Sequence, residues 1–256
     1  MADNISFEIF NEAATAPILV LCDHASNVVP ACVNGGSLGI DPSDMQRHIA
    51  FDIGAKELAQ KLAVKLNAPM LATKFSRLVI DPNRGEDDPT ILMKVYDGTI
   101  ISGNRHADAD ERERRIAAFH RPYHAAISDQ IDRMIASGNT PVLISIHSFT
   151  PQLRSRPKRP WHVGILWDHD ARIPKPLIDM LAKNPDICVG DNEPYSGDLR
   201  GDTMCFHATK RGLPHVLIEL RHDLIDREAG QEHWANILAK PLIDIINSLP
   251  KEPQNG

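Results

Sequence analysis

Four continuous apolar runs, each leading into an ionisable residue, constrain this chain more than any other feature of it. They are PILVLC at 17–22, RLVI at 77–80, PVLISI at 141–146 and HVLI at 215–218. A run that is apolar throughout, rather than at alternate positions, suits a strand buried on both faces, as in a parallel sheet covered by helices. HVGILW (162–167) is a fifth candidate, and MLATKF (70–75) and ICVG (187–190) are weaker ones. Between the runs lie helical patterns over 51–67, from about 108 to 137, over 174–183 and near 227–248. Strands alternating with helices predict the α/β class, with a mixed, mostly parallel central sheet. A chain of 256 residues is within reach of one such domain. A single domain over 1–249 is therefore expected, with PKEPQNG (250–256) as a disordered tail.

Punctuation residues refine this pattern. Asp41-Pro42-Ser43-Asp44 has the cap and first-turn chemistry of a helix entering near position 42, and Gly138 is placed to stop the long helix. TPQLRSRPKRP (150–160) reads as a loop with little regular structure.

Composition removes several function classes. No apolar stretch approaches the roughly 18 residues that suggest a membrane span, and the N-terminus lacks the pattern of an export signal. A cytoplasmic location is expected. Cys22, Cys32, Cys188 and Cys205 form no CxxC pair, so neither a zinc ribbon nor a redox motif is indicated. A formal charge of −6 argues against a nucleic-acid surface and leaves a small molecule as the expected partner.

The residues at the ends of the runs carry the chemistry. PILVLC leads through Asp23 to His24, RLVI to Asp81, PVLISI to His147 and HVLI to Glu219. In open α/β sheets ligands bind outside the carboxyl ends of the strands, so these groups converge if the strands are neighbours. Ionisable groups at such depth need a partner or a metal, and His with carboxylate is the donor set of catalytic zinc. His24 and His147 are two candidate ligands. For the third, His48 and Asp52 lie four apart at the start of the helix expected in RHIAFDIGAKEL and share one face. Asp52 is preferred, with His48 as the alternative.

SRLVIDPNRG (76–85) contributes Arg77, Asn83 and Arg84, which suit a carboxylate or a developing oxyanion; an internal Asp81–Arg84 pair is the structural alternative. His120 and His124 in FHRPYH have the spacing of a helical metal pair but lack the Glu of HExxH; His124 could instead face the pocket as a polar contact. Tyr195 in DNEPYSG and Arg221 in IELRHDL are further candidate contacts. A dicarboxylate would need a second cation, from Arg221 or from Arg154, Arg156, Lys158 or Arg159.

DHASNVVP, HIAFDIGA, SRLVIDPNRG, FHRPYH, SIHSF, NEPYSG and IELRHDL occur in an order that resembles the N-formylglutamate amidohydrolase family across residues 17–225. The resemblance extends to the zinc carboxypeptidase and aspartoacylase group, and implies a three-layer α/β/α fold that hydrolyses an amide next to a carboxylate. It implies metal binding by His24 and His147 and general acid–base catalysis by Glu219. It also implies polarisation of the scissile carbonyl by Arg77 and capture of the substrate carboxylate by Asn83 and Arg84. Zn2+ or another divalent metal is the implied cofactor and an N-acyl amino acid the implied substrate. Asn27 stands where the carboxypeptidase pattern has a ligating Glu. The rival readings are a deacylase or exopeptidase for other N-acyl amino acids, and a catalytically silent domain that binds a carboxylate ligand.

Overall fold

ILVLC, VLISIHSF and HVLIELR, buried at every position, are central strands of a seven-stranded sheet in the computed structural model, which describes residues 6–250. In chain order the strands are β1 (Phe7–Phe10), β2 (Ile18–Cys22), β3 (Met70–Thr73), a short hairpin β4 (Val95–Tyr96) and β5 (Thr99–Ile100), β6 (Val142–Phe149), β7 (Val163–Leu166), β8 (Val189–Asp191) and β9 (His215–Arg221). The large sheet runs β1-β3-β2-β6-β9-β7-β8. Its inner strands β3, β2, β6 and β9 are mutually parallel. β1 and β7 run antiparallel to their inner neighbours, and β8 runs parallel to β7. The sheet is thus mixed, as expected.

Helices cover both faces. On one side α1 (Ala55–Lys65), α5 (Pro174–Leu181) and α7 (Glu228–Ser248) pack Leu58, Leu62, Leu177, Trp234 and Leu238 against Val20, Ile144 and Ile218. On the other, α4 (Arg121–Ala136) and α6 (Thr203–His207) set Tyr123, Ile127, Ile131 and Met204 against Leu19, Leu21 and Leu143. Successive strand residues point to opposite faces, so each all-apolar run supplies both layers. A third apolar cluster, including Ile49, Phe75, Leu78, Ile91, Ile101 and Phe119, holds the irregular segments together, and α2 (Ser102–Arg105) and α3 (Ala109–Arg115) reach it through buried Asn104 and Arg115, which donate to Leu78 O and Val79 O.

Four local expectations are corrected. RLVI is not a strand but a buried turn, and the weaker candidate MLATKF supplies β3 instead. The turn can stay buried without a ladder because distant side chains satisfy it: Asn104 Nδ2 donates to Leu78 O at 2.7 Å and Arg115 donates to Val79 O at 3.0 Å. Near position 42 there is a single 3₁₀ turn, Asp44–Gln46, rather than a full helix. The helix expected from 51 begins at Ala55, because Gly54 caps it in the left-handed region at φ +76. His48 and Asp52 therefore do not share a helix face. The long helix over 108–137 is divided into α3, a π turn at Ile116–His120 and α4, with Pro122 accepted in the first turn of α4.

Gly138, at φ +81, comes just after the end of α4 as expected. Apart from Pro250, the tail 250–256 lies outside the described residues. Among the described residues no helix is long and apolar enough to cross a membrane.

Candidate active site

The parallel strands deliver their polar residues to one crevice. His24 stands two residues past β2, and Asp81 comes at the end of the buried turn after β3. His147 and Glu219 lie inside β6 and β9 rather than beyond them, because the ladder continues to Phe149↔Arg221. The same register sets His147 directly opposite Glu219. Asp52 arrives from the segment before α1, with its N–H donating to His24 O at 2.9 Å.

His24, Asp52 and His147 each present a donor atom within 4.8 Å of the others, and all three are buried. Asp52 Oδ2 is the shared point: it lies 3.3 Å from His24 Nδ1 and 2.8 Å from His147 Nδ1, and it accepts from Ser148 N at 3.2 Å. Each imidazole is held from behind through its other nitrogen. His24 Nε2 contacts Asp81 Oδ1 at 2.8 Å, and His147 Nε2 contacts Asp23 Oδ2 at 3.0 Å. Asp23 also accepts from Tyr123, Ser145 and Thr203, and Asp81 accepts from Arg77 Nη2 at 2.7 Å. Carboxylates that fix the outer nitrogen of each histidine and leave the inner ones facing a common point form the usual second layer of a metal site.

Burial alone would lower the His147 pKa, but hydrogen bonds to Asp23 and Asp52 outweigh it and hold the imidazolium well above its ordinary range. Burial would raise Asp23, yet the bond to His147 brings it down to about 2; Asp52 is likewise held low, with His24 and His147 outweighing burial. Asp23, Asp52 and Asp81 therefore stay ionised beside His147, His24 and Arg77, and the His147 ring can ligate a cation only after giving up a proton. Glu219 behaves differently. Its Oε2 is buried with no hydrogen-bond partner among the described residues, and burial pushes its carboxyl up to about 7.

A cavity of about 260 Å³ opens over this cluster, and His24, Asp52, His147, Glu219, Arg77, Asn83, Arg84 and Tyr195 all line it. Arg77 Nη1 lies 3.6 Å from Asp52 Oδ1. Asp81 pairs with Arg77 and His24, whereas Arg84 is 3.9 Å from Asp88, so the internal Asp81–Arg84 pair does not form. His48 reaches the cavity wall, and its Nε2 is 3.5 Å from Asp97. Tyr195 also lines the cavity, its hydroxyl accepting from Arg159 at 3.0 Å.

Two expected contacts are placed elsewhere. His124 is behind the turn carrying Asn83, with its Nε2 on Pro82 O at 2.9 Å. Arg221 turns to Asp223 at 2.8 Å and to the carbonyls of residues 159–161, where it ties down the basic loop. Asp23, Asp202, Thr203 and His207 do not stand out as site residues in the sequence; adjacency to His24 is the available signal for Asp23.

A family model described as N-formylglutamate amidohydrolase matches residues 16–226. This chain belongs to the N-formylglutamate amidohydrolase family. Among curated members, the N-formylglutamate deformylase of Pseudomonas aeruginosa is 30% identical over 169 residues. That match covers 60% of this chain and 54% of the relative, so the chain spans about half the length of the curated protein. A protein of the same description from Pseudomonas putida is 29% identical over 93 residues, covering 32% of this chain and 35% of that protein. Among solved structures, a gene product of Agrobacterium tumefaciens is 33% identical with a TM-score of 0.89, covering 95% of each chain. The N-formylglutamate amidohydrolase of Ralstonia eutropha superposes with a TM-score of 0.69 at 17% identity, over 95% of this chain and 97% of the other, a likeness of fold.

Proposed function

We propose that this member of the family is a metal-dependent amidohydrolase. It cleaves the amide of an N-formyl amino acid such as N-formyl-L-glutamate, giving formate and the free amino acid. The observation that carries the reading is Glu219: a buried carboxylate whose Oε2 is unpartnered among the described residues, in register with His147 beside the donor cluster. A domain that only binds a carboxylate has no use for such a base. The names of the Pseudomonas relatives support the choice of acyl group.

The donor chemistry fits a divalent cation, with His24, Asp52 and His147 as the residues that would hold it. When bound, Zn2+ or a similar ion supplies Lewis acidity toward the amide carbonyl and toward water. Glu219 takes the proton of the attacking water and returns it to the departing nitrogen as the C–N bond breaks. Its raised pKa, about 7, suits a group that must both accept and release a proton near neutrality. Arg77, steadied by Asp81 through Nε at 3.2 Å and Nη2 at 2.7 Å, faces the charge that develops on the carbonyl oxygen. Asn83 and Arg84, which line the same cavity, take the substrate α-carboxylate, and Tyr195 is a further contact.

A panel of N-formyl and N-acetyl amino acids, assayed with metal-replete protein for release of the acid, tests this reading. Formate release from N-formyl substrates bearing a free α-carboxylate is expected. Faster hydrolysis of the N-acetyl series would replace it with a different deacylase, and turnover of neither would overturn it.

A further inference from the structure

The turn Asp81-Pro82-Asn83-Arg84 belongs to no sheet, yet it is largely buried, so its carbonyls need partners from outside. Three consecutive carbonyls find them in side chains. Pro82 O lies 2.9 Å from His124 Nε2, Asn83 O accepts from the guanidinium of Arg84 at 2.8 Å, and Arg84 O lies 2.9 Å from His120 Nε2. His120 and His124 come from the junction of the π turn with α4, and their rings pack 4.2 Å apart.

The direction of these bonds is fixed. A carbonyl only accepts, so His124 carries its proton on Nε2 and must accept at Nδ1. His207 Nε2, 2.7 Å away, is then the donor, which leaves His207 Nδ1 to accept from Ser128 Oγ at 3.5 Å. The two rings are nearly parallel, with 13° between planes and centroids 5.0 Å apart, as an edge-to-edge N–H···N bond requires. Burial holds His124 down at about 4 and His207 at about 3, so both remain neutral and the chain keeps one sense. The N-terminal end of α6 closes the loop: Thr203 N donates to Asn83 Oδ1 at 3.0 Å and so fixes that side chain.

We propose that His120 and His124, with His207 behind them, are positioning residues that set the Asn83–Arg84 turn for its grip on the substrate α-carboxylate. This rests on the role given to that turn under the proposed function. None of the three histidines lines the substrate cavity, so they act through the turn. Removing the His124 donor frees Pro82 O and lets the turn drift, which weakens a contact made alike in ground and transition state. The signature is a raised KM at nearly unchanged kcat.

The experiment compares wild type, His124→Leu, His124→Gln and His207→Leu on N-formyl-L-glutamate and on its α-carboxamide. Calorimetric binding of L-glutamate and of its α-carboxamide is measured in parallel. His124→Leu is expected to raise KM for the carboxylate substrate about tenfold with kcat within about threefold, and to leave the carboxamide within about twofold of wild type. His124→Gln, whose amide can still donate to Pro82 O, recovers most of the loss. If His124→Leu does not fold, His207→Leu is read in its place, with a smaller rise confined to the carboxylate ligand. Equal losses for carboxylate and carboxamide would reduce the histidines to scaffolding and overturn the proposal. Wild type that binds L-glutamate but releases no formate sinks the proposed function, and the binding arm then decides this proposal. Glutamate affinity unchanged by His124→Leu sinks the positioning role alone, and wild type that neither binds glutamate nor releases formate sinks both; where formate is released without measurable glutamate binding, the KM comparison decides.

Discussion

At Asp52 one carboxylate oxygen meets two imidazoles and a backbone N–H, while the other lies 3.6 Å from Arg77. His48, the alternative third ligand, sits on the cavity wall but leans on Asp97, 3.5 Å away. Asp52→Ala is therefore expected to weaken metal affinity by at least about tenfold and His48→Ala by far less, measured by competition with a chelating indicator. A larger loss in His48→Ala would exchange their roles. Asp202 allows a cleaner electrostatic test. Burial raises its pKa to about 6 from 3.8, against the opposing effect of the cap bond it accepts from Cys205 N. Because the folded value lies above the unfolded one, the native state holds the extra proton between them, and stability falls as pH rises through that window. Asp202→Asn keeps the cap and removes the charge. It should match wild type near pH 3.5 and be more stable by up to about 3 kcal/mol at pH 8, read from denaturant unfolding of the metal-free protein. Equal stability at pH 8 would show that Asp202 is solvated.

Elements built on local signals keep closely to their sequence, and those built on distant partners do not. β2, β6 and β9 arise from apolar runs that bury both faces. RLVI carries the same signal and becomes a turn because Asn104 and Arg115, both well downstream, satisfy its carbonyls. Periodicity over four residues cannot register such partners. The start of α1 depends similarly on a neighbour from far along the chain: a Cβ at Gly54 would meet Ile225 O at 2.0 Å, at a φ of +76. Gly54→Ala should lower stability by about 2 kcal/mol or more through clash and backbone strain, seen as a lower urea midpoint at unchanged slope. It should also displace Asp52, two residues away, and so weaken metal binding in the same variant. A fully stable Gly54→Ala protein would mean the segment before α1 is not held as described.

On the scale of the whole molecule, strand order turns scattered residues into a site. Adjacency of β3, β2, β6 and β9 brings Asp81, His24, His147 and Glu219 to one end of the sheet. Their positions after apolar runs are readable as a pattern, although His147 and Glu219 lie within the ladder and RLVI forms no strand. Which carboxylate backs which histidine is not, because Asp23 meets His147 across 124 residues and Asp81 meets His24 across 57. Likewise the spacing of His120 and His124 suggests a metal pair, and only the fold shows both donating to the turn at Pro82 and Arg84. The proposed mechanism turns on Glu219 as the proton carrier beside the donor cluster. Glu219→Gln, assayed for bound metal and for formate release from N-formyl-L-glutamate, tests that role. The variant is expected to keep about one equivalent of metal and to lose about 10²- to 10⁴-fold in kcat, whereas formate release at the wild-type rate with metal retained would contradict it.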